Sequence, residues 1–352
     1  MPSLLRLSTL ILTLAAPTPA APDLTIITDE AEAALAILEL RQAGSPIPDT
    51  TWQRLFQSEG YRRLAAREAA MGREFGDSAF RAFMTSDTLL RRAPALRRAL
   101  REWRTARLDD AGRKALAYLP TGTQIRAKVY LLIKPRTNSF VFEAATEPAI
   151  MLYLDPTRTR AQLENTVAHE LHHIGYAAGC VSTPDAPADS AVSTARQWLS
   201  AFGEGVAMLA AAGGPDVHPH ATSPAEDRTR WDRDVANAPA DLRRVESFLF
   251  DVLERRVTDP DSIGRVAMAF FGVQGPWYTV GWVMASTVER ALGRVALVNV
   301  LCDPAELLGA YNAAARQRDS TLPRWSDSLL VRLTPEPRAR RPRLRRGSRR
   351  RR

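Results

Sequence analysis

The order of polar and apolar residues changes rhythm along the chain. After residue 28, DEAEAALAILELRQAG carries apolar positions at helical spacing and stops at Gly44. TWQRLFQSEGYRRLAAREAAMG and DTLLRRAPALRRALREWRTARL continue in the same style, so residues 29–118 are expected to be helices with solvated charged faces. The rhythm shortens at 126–154. AKVYLLI, SFVFE and AIMLYLD are β-branched or aromatic runs separated by the turn segments PRTN and ATEP, which predicts three strands of a small sheet. A helix is expected at about 159–178, with Thr159 and Gln162 at capping-box spacing and Gly179 at C′. Residues 181–193, VSTPDAPADSAVS, read as a loop, and further helices run to about 317. No internal repeat is visible. The pattern predicts an α+β fold, mostly α. A helical N-terminal region at 24–120 precedes a domain at 121–330 built on a small mixed sheet.

The two ends change this picture. MPSLLRLSTLILTLAAPTPAAPD has a basic Arg6, a short apolar run and then small residues. That is the pattern of a signal peptide, too short to span a bilayer, with cleavage expected after Ala20. The protein is therefore expected to be exported, to a periplasm or the medium, with no transmembrane segment in the mature chain. At the other end RARRPRLRRGSRRRR, residues 338–352, holds ten Arg and no acid, and the tail from Pro335 is expected to be disordered. The formal charge of +9 comes from this tail. Without its ten Arg, 38 basic residues face 39 acidic ones. Such a tail would contact any polyanion non-specifically, and the neutral body carries no nucleic-acid recognition motif. Of the two cysteines, Cys180 and Cys302, an exported protein could make one disulfide or leave two buried thiols.

The chemistry concentrates at VAHELHHIGY, residues 167–176, where three of the chain's five His fall within five residues. On a helix each residue advances ~100°, so His169 and His173 lie ~40° apart, one turn from each other, and can reach one metal ion. Glu170 stands ~100° to the side, where it can meet a water without being a ligand. Val167, Leu171 and Ile174 fall on the opposite face, the apolar back of the helix. His172 lies off the ligand face and is expected to be structural or positioning.

A zinc site of this kind needs a third protein ligand. Asp185, Asp189, Glu204, His218 and His220 are the candidates downstream. No His follows at the spacing of an HExxHxxGxxH motif. His218 and His220, in PDVHPHATSP, are expected at the surface of a loop. Glu204 has a physical argument behind it. It is the one charged residue in QWLSAFGEGVAMLAAAGGP, a segment apolar or small nearly all round and therefore expected to be buried. A buried carboxylate needs a partner, which a metal ion or an Arg could supply. Gly203 and Gly205 flank it at a cost of up to ~1 kcal/mol each, which a close approach of two helices would explain.

HELHH with Glu204 following in FGEGVAML resembles the gluzincin arrangement: zinc peptidases with HExxH on one helix and a glutamate ligand on the next. The EGxA form is more similar to a group of exported bacterial proteins classed as zinc-dependent peptidases than to thermolysin-like enzymes, whose further motif residues are absent here. The resemblance covers roughly residues 126–212. It implies a zincin-like domain holding one Zn2+ on His169, His173 and Glu204, with Glu170 as general base in peptide-bond hydrolysis and a peptide or protein as substrate. It also implies an oxyanion donor. Tyr278, in GPWYTVGW, is the candidate, with a plain core aromatic as the other reading. Two other functions stay open at this point: a zinc-bearing scaffold without turnover, and a polyanion binder working through the Arg tail.

Overall fold

The computed structural model describes residues 21–333 apart from 107, 145, 181–188 and 320. The expected signal peptide and the Arg-rich tail lie outside the described residues. Four strands there form one mixed sheet: β1 (Asp23–Ile27), β2 (Arg126–Leu132), β3 (Phe140–Phe142) and β4 (Ala149–Tyr153), in the order β1-β2-β4-β3. β2 is parallel to both β1 and β4, and β3 runs antiparallel to β4 at the edge. Every residue of AIMLY in β4 is buried, as a strand covered on both faces must be.

Between β1 and β2 run α1 (Asp29–Gln42), α2 (Asp49–Gln57), α3 (Glu59–Ala70), α4 (Asp77–Met84), α5 (Asp87–Trp103) and α6 (Asp109–Leu116). After β4 come α7 (Arg160–Gly179), α8 (Ser190–Leu199), α9 (Gly203–Ala212), α10 (Ala225–Ala236) and α11 (Ala238–Leu253). The chain continues through α12 (Pro260–Ala269), α13 (Pro276–Leu292), α14 (Arg294–Val300), α15 (Pro304–Arg318) and α16 (Asp327–Leu333). The fold is α+β and mostly α, as the hydrophobic pattern predicts.

The pattern misses β1. DLTII is five residues long and owes its strand form to pairing with β2, a hundred residues away in sequence. Its presence makes α1–α6 the crossover between two parallel neighbours, so residues 24–120 share the sheet and a continuous apolar core with the rest. Two local expectations also change. Residues 190–193 belong to α8 rather than to a loop, because the Asp189 carboxylate accepts the Ala191 N–H (2.7 Å) and caps that helix. Gly179 is the last residue of α7 and not a left-handed C′ residue. What it provides is closeness: a Cβ there would stand 2.4 Å from Thr123 Oγ1.

A disulfide joins Cys180, just past α7, to Cys302, between α14 and α15. It closes a span of 122 residues, which by the chain-entropy account stabilises the fold by about 4–5 kcal/mol.

Where the N-terminal helices meet the sheet, two ionisable groups are buried. Glu30 of α1 accepts the Ile133 N–H through Oε2 (2.9 Å). Lys134 donates to the carbonyls of Arg136 (2.7 Å) and Asn138 (2.5 Å) and so gathers the turn leading into β3. Burial dominates both. It pushes Glu30 from 4.5 up to about 8 and Lys134 from 10.5 down to about 8. Between pH 4.5 and 8 the folded state holds a proton on Glu30 that the unfolded chain has lost, so the contribution of Glu30 to stability falls as pH rises through that window. Above pH 8 the sign reverses, because folded Lys134 gives up its proton before the unfolded chain does. Thermal unfolding followed by circular dichroism should therefore show a stability minimum near pH 8. Glu30→Gln should raise Tm at pH 8 and change it little at pH 5. Equal shifts at both pH values would contradict this assignment.

Candidate metal centre

The α7 helix begins on a complete capping box. Thr159 Oγ1 accepts the Gln162 N–H (3.3 Å), and Gln162 Oε1 accepts the Thr159 N–H (2.7 Å). Its back is the apolar stripe read from the sequence, with Val167, Leu171 and Ile174 all buried. His172 is buried too, with Nε2 3.3 Å from the Tyr118 carbonyl. Burial and the neighbouring His173 lower its pKa to about 3, so it stays neutral and holds α7 to the chain leaving α6 as a hydrogen-bond donor. That leaves His169 and His173 to face α9.

Glu204 stands in the first turn of α9, immediately after a tight turn at Ser200–Phe202. The rest of α9 is buried from Gly205 to Ala212, as its composition predicts. The flanking glycines separate in role. A Cβ on Gly205 would lie 2.1 Å from the Trp282 backbone nitrogen and 2.6 Å from Gly281 Cα, and one on Gly281 would lie 2.6 Å from the Phe202 carbonyl oxygen. α9 and α13 therefore cross backbone to backbone at Gly205 and Gly281. A Cβ on Gly203 would meet nothing within 4 Å.

Three ligand atoms converge as a result. His169 Nε2 lies 3.2 Å from Glu204 Oε2, His173 Nε2 lies 3.3 Å from the same oxygen, and the two imidazole nitrogens are 3.1 Å apart. In tetrahedral zinc sites, ligand atoms ~2.1 Å from the ion stand about 3.4 Å from one another. The triangle and its N,N,O donor set fit zinc. The electrostatics agree. Burial opposes charge on Glu204, yet His173 and His169 hold its carboxyl well below the usual carboxylate range. Burial likewise opposes charge on His173, and Glu204 more than offsets it. Two imidazoles and a carboxylate turned onto one point attract positive charge.

Glu170 lies on the wall of the cleft beside this cluster, and burial raises its pKa against the pull of His169 and His173. Tyr278 comes from the first turn of α13, just before the Gly281 crossing. Its ring is stacked nearly parallel to that of His169 (centroids 6.3 Å, 15° between planes). Burial, then the charge of Glu204 and a hydrogen bond toward it, push the Tyr278 hydroxyl far up, so it remains a donor. Tyr278 is thus at the site rather than in the core.

The cleft encloses about 740 Å³. Its walls come from the turn before β3, the β4–α7 connection, the outer face of α7, the segment entering α10 and the turn before α13. No residue of 24–120 lines it among the described residues. Two of the remaining ligand candidates have partners of their own. Asp189 caps α8 and pairs with Arg255 (2.8 Å), His218 pairs with Asp232 (3.0 Å), and Asp185 lies outside the described residues. The expectation for His220 was wrong. It is buried against Trp231 and lines the cleft, because the segment His218–Ser223 folds inward ahead of α10. Gln274 and Arg230 also line the cleft. No sequence signal marked them, since one lies in a short turn and the other on an Arg-rich helix.

Fold and site together define a class: an α+β protein with, beside a cleft, a His-His-Glu cluster whose spacing would suit zinc. The family model described as "Putative zinc dependent peptidase (DUF5700)" matches residues 52–320, about three quarters of the chain, and the chain belongs to that family. No match is found among curated proteins or among solved structures.

The α9–α13 crossing yields a direct test. Gly205→Ala forces a methyl group into the α13 backbone, and overpacking of this kind costs about 1–3 kcal/mol. Its Tm and its zinc affinity should both fall. Gly203→Ala, with open space around it, should be neutral or stabilising. Equal behaviour of the two variants in thermal melts and zinc titration would contradict the close crossing.

Proposed function

We propose that this protein is an exported zinc-dependent peptidase in which His169, His173 and Glu204 hold one Zn2+. The observation that carries the reading is the triangle of ligand atoms with 3.1–3.3 Å edges at the cleft that Glu170 and Tyr278 line. When bound, zinc supplies Lewis-acid polarisation of the scissile carbonyl and lowers the pKa of water. The chain's own groups do the rest. Glu170, on the side of α7 next to the ligand face, takes the proton of the attacking water on a carboxylate oxygen and delivers it to the leaving amine nitrogen. Its raised pKa suits both halves of that task. Tyr278, held protonated, donates its hydroxyl hydrogen to the oxygen on which negative charge develops. The cleft has room for a segment of peptide, and the turn before β3 forms part of its wall. Export is supported by the disulfide, which persists in oxidising compartments. Among the described residues no helix is long and apolar enough to cross a membrane.

The test is cleavage of a peptide library by zinc-loaded wild type and by Glu170→Gln, with zinc content measured in both. General-base loss is expected to lower kcat/KM roughly 10²- to 10⁴-fold, with zinc retained. Undiminished turnover in the variant would remove Glu170 from the role. A wild type that carries zinc and cuts no peptide would overturn the peptidase reading.

A further inference from the structure

One wall of the cleft carries polar groups that the metal site does not use. His220 is nine-tenths buried, with 9% of its surface exposed. Its ring packs against Trp231 (centroids 5.4 Å), its Nδ1 lies 3.1 Å from Ser223 Oγ, and its backbone N–H donates to His218 Nδ1 (2.9 Å). Its Nε2 is buried without a hydrogen-bond partner among the described residues. Near it is Gln274, whose Nε2 lies 4.0 Å from the Met208 sulfur and whose Oε1 is likewise buried and unpartnered. Burial lowers the His220 pKa and the Gln274 side chain works against that, so the two groups are close neighbours, yet they do not reach hydrogen-bonding geometry with each other.

Two buried polar atoms without partners, on residues that line one cleft, are costly in a folded protein and call for an explanation. The backbone supplies a second observation. Gln274 is a non-glycine residue at φ +62°, in the left-handed region, and strain of this kind gathers at ligand clamps. Its neighbour Met208 follows Glu204 by one turn of α9, about 6 Å along that helix, so Gln274 meets the helix that carries Glu204 one turn on. On the same wall Asp227 pairs with Arg230 at 2.8 Å and Asp155 with Arg158 at 3.8 Å, while Arg230 Nε is buried without a partner among the described residues. What His220 Nε2 and Gln274 Oε1 themselves call for is one group that carries both an acceptor and a donor.

We propose that His220 and Gln274 form a subsite that binds an amide group of the substrate, with His220 Nε2–H donating to the amide oxygen and Gln274 Oε1 accepting the amide N–H. In the tautomer in which Ser223 Oγ–H donates to His220 Nδ1, Nε2 carries the hydrogen; a carboxylate then offers nothing to Gln274 Oε1, and an ammonium offers nothing to His220 Nε2–H. A carboxamide presents acceptor and donor side by side. It is either a main-chain peptide unit or the side chain of Asn or Gln. The inference rests on the peptidase reading for its substrate, and its test keeps the two apart.

The full zinc-loaded chain is titrated with acetamide and, separately, with acetate, while the His220 ring resonances are followed by NMR and assigned by their loss in His220→Phe. Acetamide is expected to shift them saturably, acetate is not, and Gln274→Leu should abolish the shift. In parallel, wild type and both variants are given peptides with Gln replaced by Leu, or with the backbone nitrogen methylated, at each position in turn. One position should lower wild-type kcat/KM roughly ten- to a hundredfold, through the side-chain change or through N-methylation, and that sensitivity should vanish in the variants. If His220→Phe does not fold, Gln274→Leu carries the comparison. Identical profiles in wild type and variants would overturn the subsite. If no peptide is cut, the peptidase reading fails, and the His220 titration alone decides the subsite: a shift with acetamide supports it, and none refutes it.

Discussion

The contact between Gly205 of α9 and Gly281 of α13 is the constraint from which the site follows. No side chain fits between the two backbones. Glu204 precedes one of these glycines and Tyr278 stands three residues before the other, so the crossing turns a carboxylate and a phenol toward the same face of α7. Each glycine in a helix costs up to ~1 kcal/mol relative to alanine. The apolar run of α9, buried from Gly205 onward, offsets that cost and leaves Glu204 as the one charge in its helix. A carboxylate in that position is tolerated because two imidazoles face it.

The opposite side of the site is held as firmly. α7 is fixed at its start by the capping box, in the middle by His172 on the Tyr118 carbonyl, and at its end by the Cys180–Cys302 disulfide. Tyr118 is itself tied to α13, its hydroxyl donating to Glu289 (2.8 Å) while the Arg294 guanidinium lies over its ring (4.4 Å). The helix carrying two ligands and the helix crossing the third are therefore linked through one tyrosine. Ligand atoms about 3 Å apart need such bracing, because a shift of an ångström in either helix would open the triangle.

Much of this was legible in the sequence, and for reasons that can be named. Helical periodicity separates the His169–His173 face of α7 from its Val167–Leu171–Ile174 back. Glu204 stands out because burial was written into its neighbours. The Gly205 crossing could be anticipated from the cost of the glycine. What escaped depends on partners far away in sequence. β1 is a strand only because β2 lies beside it. Gly179 ends α7 without a left-handed turn, and its missing side chain admits Thr123. His220 looked like a surface histidine in a Pro-rich loop, and the loop folds inward onto Trp231. The strained Gln274 has no local signature at all. The pairing of Cys180 with Cys302, left open by their separation, is settled by the helices that carry them to one place.

The account stands on Glu204 as the third ligand, and metal analysis tests that most directly. Elemental analysis of the purified mature protein is expected to give one zinc per chain, and Glu204→Ala, folded by circular dichroism, is expected to lose it or to bind it far more weakly. Zinc held with undiminished affinity by Glu204→Ala, or a wild type that takes up none on reconstitution, would contradict the assignment.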